Sequence, residues 1–247
     1  MYQFFIENEN VSEKFVTIEG SDVNHIKNVL RMRNGEKIRV CTRDGRNFFC
    51  SIADMTDSFV RADILEEEAE DTELPNKIYL FQGLPKNDKM EWIIQKAVEL
   101  GVYKVIPVSM KNCVVKLDEK KAKAKVARWQ AISESAAKQS KRSIIPEISA
   151  PMTYKEAAAC AEKLDVNLIP YENAKGMAGT KAAVEQIKKG ESIGIFIGPE
   201  GGFAPEEIEL VKDKMQLISL GKRILRTETA GMTTLAILGY HLDSMEQ

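Results

Sequence analysis

Two stretches in the last quarter of the chain carry the residues best placed to do chemistry: IGIFIGPEGGFA, from Ile193 to Ala204, and LGKRILRTETAG, from Leu220 to Gly231. The first is an apolar run, Ile193 to Ile197, then a glycine-marked loop, then Pro205-Glu-Glu-Ile-Glu-Leu-Val, with proline and acids where a helix begins. In an open parallel sheet, ligands collect outside the carboxyl ends of the strands, where glycine lets the backbone come close. Gly198, Gly201 and Gly202 therefore mark either a ligand loop or a plain turn at a helix start. The spacing is neither G-x-G-x-x-G nor a phosphate loop closing in Gly-Lys-Ser/Thr, and Glu200 inside it would repel a pyrophosphate. A neutral or cationic ligand suits it better.

The second loop follows the apolar run Leu217 to Leu220 and carries Lys222, Arg223 and Arg226. Arginines beside a glycine turn can be plain surface charge, but two such loops at successive strand ends favour a site. Thr227 is expected to cap a helix over Glu228 to Leu242. Its small and apolar residues lie on more than one face, which predicts burial against a second surface such as another subunit.

These loops need a scaffold, and the pattern before them supplies one. Ile78 to Phe81, Val102 to Val108 and Val166 to Pro170 read as strands. Helices are expected over Lys89 to Leu100, with Gly101 as its stop, Glu119 to Ser140, Thr153 to Leu164 and near Thr180 to Lys188. Strands alternating with helices make an α/β fold with a mostly parallel sheet covered on both faces. The first segment differs: Gln3 to Ile6, Phe15 to Ile18, Lys37 to Thr42, Asn47 to Met55 and Phe59 to Leu65 are short, β-branched and aromatic runs separated by turns, which reads as a small β-barrel. Asp22 to Met32 alone has helical spacing. The acidic block Glu66 to Glu73, closed by Pro75, reads as a linker, dividing the chain into domains at 1–72 and 73–247.

Composition narrows the function. The net charge of −2 hides local asymmetry: from Lys27 to Arg46 seven basic residues stand against two acids, a net of +5, and from Lys111 to Arg142 ten stand against three, a net of +7. A polyanion can dock on such patches; the first reads as a nucleic-acid surface, whereas Lys120 to Lys125 reads rather as a solvated helix face. Cys41, Cys50, Cys113 and Cys160 form no C-x-x-C pair, and only two histidines are present, so neither a zinc site nor a Ser-His-Asp triad is expected. No apolar run reaches membrane-spanning length and the start MYQFFIENEN lacks a secretion pattern, so a soluble cytoplasmic protein is expected.

IGPEGGF (Ile197 to Phe203) followed by LGKRILRTETA (Leu220 to Ala230) resembles the signature of the RsmE-like family, 16S ribosomal RNA uridine methyltransferases of the SPOUT superfamily. Further matching stretches run in the family's order: HIKNVLRM from His25, KNDKMEWIIQKAVELGVYKVIPV from Lys86, ESAAKQSKR from Glu134 and LIPYEN from Leu168. The likeness covers essentially the whole chain. One departure is Gln3, where the family has an arginine just before the first aromatic pair.

The resemblance implies a PUA-like β-barrel followed by a SPOUT-like sheet with a C-terminal trefoil knot, which spacing alone could not reveal, since knots are very rare. It implies S-adenosylmethionine as cofactor, held by three loops: Leu168, Pro170, Tyr171 and Glu172; Ile197, Gly198, Pro199, Glu200, Gly201 and Gly202; and Leu220, Gly221, Ile224, Leu225, Arg226, Thr229 and Ala230. Glu200 would then stand beside the sulfonium or cap its own loop. The implied reaction methylates the uridine ring nitrogen between the two carbonyls, giving 3-methyluridine in 16S rRNA of the small ribosomal subunit. That nitrogen lies on the Watson–Crick edge, so the base must be unpaired or extruded. Arg226 is the expected catalytic cation and Glu228 or a water the proton acceptor. RNA contacts are expected from His25, Lys27, Arg31, Arg33, Arg142 and Arg223, with His25 alternatively structural. A homodimer is implied, with the helix Glu228 to Leu242 as its seam; no metal and no membrane partner are expected. Two rivals fit the same residues: a related enzyme acting on another base or on ribose, and a non-catalytic RNA-binding assembly factor.

Overall fold

Alternating apolar residues in the first third of the chain form β1 (Tyr2–Ile6), β2 (Phe15–Glu19), β3 (Lys37–Thr42), β4 (Asn47–Met55) and β5 (Phe59–Glu68). They are described by a computed structural model covering residues 1–68, 72–174 and 176–246. Contacts divide the chain into two compact units, Met1–Glu73 with Ala137–Ile145, and Leu74–Ala136 with Pro146–Gln247. The return of Ala137–Ile145 to the first unit is not visible in the sequence pattern.

In the first unit the five strands make one curled sheet in the order β1-β3-β4-β5-β2, antiparallel except where β1 runs parallel to β3. Phe4, Ile18, Ile26, Ile38, Phe48 and Ile52 fill its core. The helical pattern of Asp22 to Met32 resolves into α1 (Ser21–Asn24) continued by a π-helical turn over His25–Val29, where Leu30 N–H donates to His25 C=O at 2.8 Å. Arg31, at φ +53°, ends it.

The acidic block expected to be a linker is partly structural; its residues 69–71 lie outside the described residues. Glu66–Glu68 extend β5 and pair with β4. Glu67 and Glu68 take the guanidinium groups of Arg46 and Arg39, and Glu73 takes Arg142. Those acids are counter-charges to arginines of the same unit.

The second unit contains β6 (Ile78–Gly83), α2 (Lys89–Glu99), β7 (Lys104–Ser109), α3 (Glu119–Ser140), β8 (Glu147–Ile148), β9 (Met152–Thr153), α4 (Tyr154–Ala161), β10 (Val166–Pro170), α5 (Ala178–Glu185), β11 (Ile193–Ile197), α6 (Pro205–Val211), β12 (Gln216–Ile218) and α7 (Thr227–Asp243), the last four residues of α3 belonging to the first unit. Every pairing in its seven-stranded sheet is parallel, in the order β12-β10-β11-β6-β7-β8, with β9 also on β7. Phe81 of β6 and Phe196 of β11 stack in its core with ring centroids 4.3 Å apart.

α2 buries Met90, Ile93, Ile94, Ala97 and Val98, as its spacing predicts. It stops in a Schellman motif: Gly101, at φ +89°, donates to Val98 C=O, and Val102 N–H donates to Ala97 C=O. α6 starts on Pro205, and Glu207 reaches back to the Ala204 N–H at 2.8 Å. One cap differs from expectation. Arg226, extended at φ −67° and ψ 156°, is the N-cap residue of α7, and Thr227 is its first helical residue. Among the described residues, no helix is long and apolar enough to cross a membrane.

Candidate active site

Three neighbouring strands end on one edge of the parallel sheet. In the order β12, β10, β11 their last residues are Ile218, Pro170 and Ile197, so the segments that follow rise side by side. They enclose a cavity of about 790 Å³, the size class of small-molecule sites. The first loop lends Pro170, Tyr171 and Glu172 to its wall, the second Ile197, Gly198, Pro199, Glu200 and Gly202, and the third Leu220, Gly221, Arg223, Ile224, Leu225, Arg226 and Ala230. Of the cofactor candidates, Leu168, Gly201 and Thr229 are not in the wall. Leu168 is fully buried in β10 and supports the loop from below.

The glycines are needed where chain meets chain. A Cβ on Gly201 would lie 2.9 Å from Asn112 Cβ, and Gly202 holds φ +66°. Asn112 Nδ2 donates to the carbonyls of Gly201 and Gly202 at 3.0 and 3.2 Å, fixing the loop from the segment after β7. At the cavity wall, Thr227 Oγ1 donates to Gly198 C=O at 2.6 Å and accepts from Gln82 Nε2 at 2.9 Å. The helix start and the glycine loop are thereby tied to β6, and Gln82 is fully buried. Thr227→Val leaves the buried Gln82 amide and the partly buried Gly198 carbonyl without that partner, so we predict a loss of about 1–3 kcal/mol in a denaturant melt, with weaker cofactor binding by calorimetry. Full stability would contradict the role of this link.

The sequence reading missed Lys89, the first residue of α2, which also lines the cavity. Its ammonium lies 3.1 Å from Glu200 Oε1 and 3.4 Å from Glu228 Oε2. Hydrogen bonding to Glu200, then to Glu228, raises the Lys89 pKa despite partial burial. Burial pushes the Glu200 carboxyl upward, but its backbone N–H, the Lys89 ammonium and the Lys86 N–H outweigh this and lower it. Lys86 N–H donates to both Glu200 oxygens at 3.1 and 3.3 Å. No local signal in the sequence marks it: β6 lies beside β11 only in the folded sheet, so that the turn leaving Gly83 rises from the same sheet edge. Glu228 is not in the cavity wall but meets it through Lys89.

The basic patches thin out once their partners are placed. In the first, Lys27 pairs with Asp57, Arg39 with Glu68, Arg43 with Glu7 and Arg46 with Glu67, leaving Arg31, Arg33 and Lys37 exposed. His25 is exposed and stands edge-on to Phe4 at 6.4 Å. In the second, at least seven of the ten cations are ion-paired. Arg142, taken from the sequence as an RNA contact, is 3 % exposed and forks onto Glu73, so it braces the first unit. Gln3, also buried, donates to the Arg142 carbonyl at 2.6 Å. Arg223 is exposed in the third loop. Among the described residues no cluster of three or more His, Cys, Asp or Glu side chains could hold a metal.

A site of this construction suits a ligand read by backbone and apolar contacts: Gly198, Gly202 and Gly221 bring main chain to the wall, and Ile197, Leu220, Ile224 and Leu225 supply its apolar part. The class follows from two matches. Residues 72–239 match the family described as RNA methyltransferase domain, and residues 18–65 match RNA methyltransferase PUA domain. The ribosomal RNA small subunit methyltransferase E of Bacillus subtilis (strain 168) is 37% identical, over 98% of each chain. A structure of the Neisseria gonorrhoeae ribosomal RNA small subunit methyltransferase E bound to S-adenosyl methionine superposes with a TM-score of 0.83, at 33% identity and 97% coverage of each chain. A putative methyltransferase from Legionella pneumophila with bound cofactor SAM gives 0.84, at 31% identity and 97% of each chain. The chain belongs to the ribosomal RNA small subunit methyltransferase E family.

Proposed function

We propose that this protein transfers the methyl group of S-adenosylmethionine to ring nitrogen N3 of a uridine in 16S rRNA, giving 3-methyluridine. The observation that carries the reading is the cavity walled by three loops from adjacent parallel strands, with Arg226 among its residues. The cofactor supplies an electrophilic methyl on a sulfonium. Arg226 engages a uracil carbonyl through its planar fork and stabilises the charge left when N3 loses its proton. Glu228 or a water molecule takes that proton. Leu168 and Thr229 shape the cofactor loops from outside the wall, and Gly201 lets the second loop pack on Asn112.

Residues 1–72 serve as the PUA-like RNA-binding domain and residues 73–247 as the SPOUT domain with its C-terminal trefoil knot. His25, Lys27, Arg31, Arg33 and Arg223 contact RNA, with exposed Arg31 and Arg33 foremost. Charge reversal of both (Arg31→Glu with Arg33→Glu) is expected to weaken small-subunit binding and to lower the salt slope by about two, as read by filter binding across ionic strengths. An unchanged slope contradicts the assignment. The working form is a cytoplasmic homodimer: α7 buries one stripe, Gly231, Thr234, Leu235, Leu238 and Leu242, and leaves Tyr240 82 % exposed on another face.

The test is nucleoside analysis. Methyl-labelled S-adenosylmethionine, the purified protein and small subunits from cells lacking the modification should yield labelled 3-methyluridine by mass spectrometry. Label on ribose or on another base would replace the proposal with a different target.

A further inference from the structure

We infer that Lys89 sets the cavity's discrimination between the sulfonium cofactor and its uncharged thioether product by screening the carboxylates of Glu200 and Glu228. This rests on the S-adenosylmethionine reading above. Lys89 enters the cavity wall from α2, apart from the three loops that build most of it. Glu200 belongs to the loop after β11, and Glu228 to the first turn of α7. One ammonium, 3.1 and 3.4 Å from them, therefore joins Glu200 of the cavity wall to Glu228 just behind it. The three side chains are 30, 26 and 14 % exposed, a partly dry setting in which charge interactions exceed their strength in bulk water.

Donor and product share the adenosine and amino-acid parts. They differ only by the methyl group and by the positive charge on sulfur. An electrostatic preference of the site thus appears in the ratio of their dissociation constants, in which shape and the shared hydrogen bonds largely cancel. Unscreened, two converging carboxylates would favour the sulfonium strongly. That preference would act on the reactant, because the charge on sulfur is dissipated as the methyl leaves, and ground-state binding of this kind does not accelerate transfer. Lys89 leaves the trio with one net negative charge, enough to accept a cation without holding it too tightly.

The experiment is calorimetry of S-adenosylmethionine and S-adenosylhomocysteine against the full-length wild type, Lys89→Met and Lys89→Arg. Lys89→Met is expected to raise the product-to-donor ratio of dissociation constants about tenfold, chiefly by tightening the donor, while single-turnover methyl transfer slows. Lys89→Arg keeps the charge and should keep the wild-type ratio. An unchanged ratio in Lys89→Met, or a parallel weakening of both ligands, overturns the inference, since a merely structural lysine would affect donor and product alike. Should Lys89→Met fail to fold, Glu200→Gln reads the same balance from the other side: the ratio should fall, and an unchanged ratio overturns the inference equally. If the wild type binds neither ligand, it is the cofactor reading itself that fails.

Discussion

Arg226→Ala is expected to slow methyl transfer by about 10²- to 10³-fold while the dissociation constant for S-adenosylmethionine changes less than about threefold. The asymmetry follows from what each part of the residue does. Its backbone is the N-cap residue of α7, extended at ψ 156°, and its carbonyl accepts the Ala230 N–H at 2.8 Å. Alanine keeps both features, so the loop and its cofactor contacts persist. The guanidinium is exposed and lines the cavity, where it can meet charge that develops only as the uracil nitrogen gives up its proton. Interactions realised only in the transition state appear in turnover, not in cofactor binding. Single-turnover kinetics beside calorimetry checks this, and equal loss of both would make Arg226 a binding residue.

The second large effect is expected at Gly83, the last residue of β6. A Cβ there would stand 2.7 Å from Pro199 N, 2.8 Å from Pro199 Cδ and 3.0 Å from Met110 Sδ. Two of those three atoms are backbone or proline ring and cannot swing aside, so the glycine loop after β11 itself must move. Gly83→Ala should therefore weaken S-adenosylmethionine binding at least about tenfold and cost roughly 1–3 kcal/mol of stability, the range for overpacking a filled site. Calorimetry and a denaturant melt measure the two. Wild-type affinity would mean that Pro199 does not need its place against β6.

How much of this is legible in the sequence depends on the range of the interactions involved. α2 was readable to within a residue because its apolar spacing and its glycine stop act within one helix, and the Schellman bonds of Gly101 and Val102 are local. The glycine loops were readable for the same reason: Gly202 and Gly221 hold positive φ. Lys89 was not, because its membership of the site depends on β6 pairing with β11 across more than a hundred residues. The first basic patch was overestimated. Its counter-charges Glu7, Asp57, Glu67 and Glu68 come from other strands and turns, and linear charge counting cannot see them. Arg142 is neutralised in the same way, since the return of Ala137–Ile145 to the first unit puts it against Glu73. Thr227 was a reasonable cap on composition, yet its hydroxyl goes to Gly198 and Gln82, a link that exists only once β6, β11 and α7 have come together.

The central claim is that the cavity binds the cofactor whose methyl group reaches the uridine, and isotope trapping tests it most directly. The protein is loaded with one equivalent of methyl-labelled S-adenosylmethionine, then mixed with unmethylated small subunits and a large excess of unlabelled cofactor. The account predicts label in 16S rRNA as 3-methyluridine from the first turnover for the wild type, and little for Arg226→Ala loaded to the same extent. Loaded wild-type protein that releases its label to solution and leaves the RNA unlabelled would contradict it.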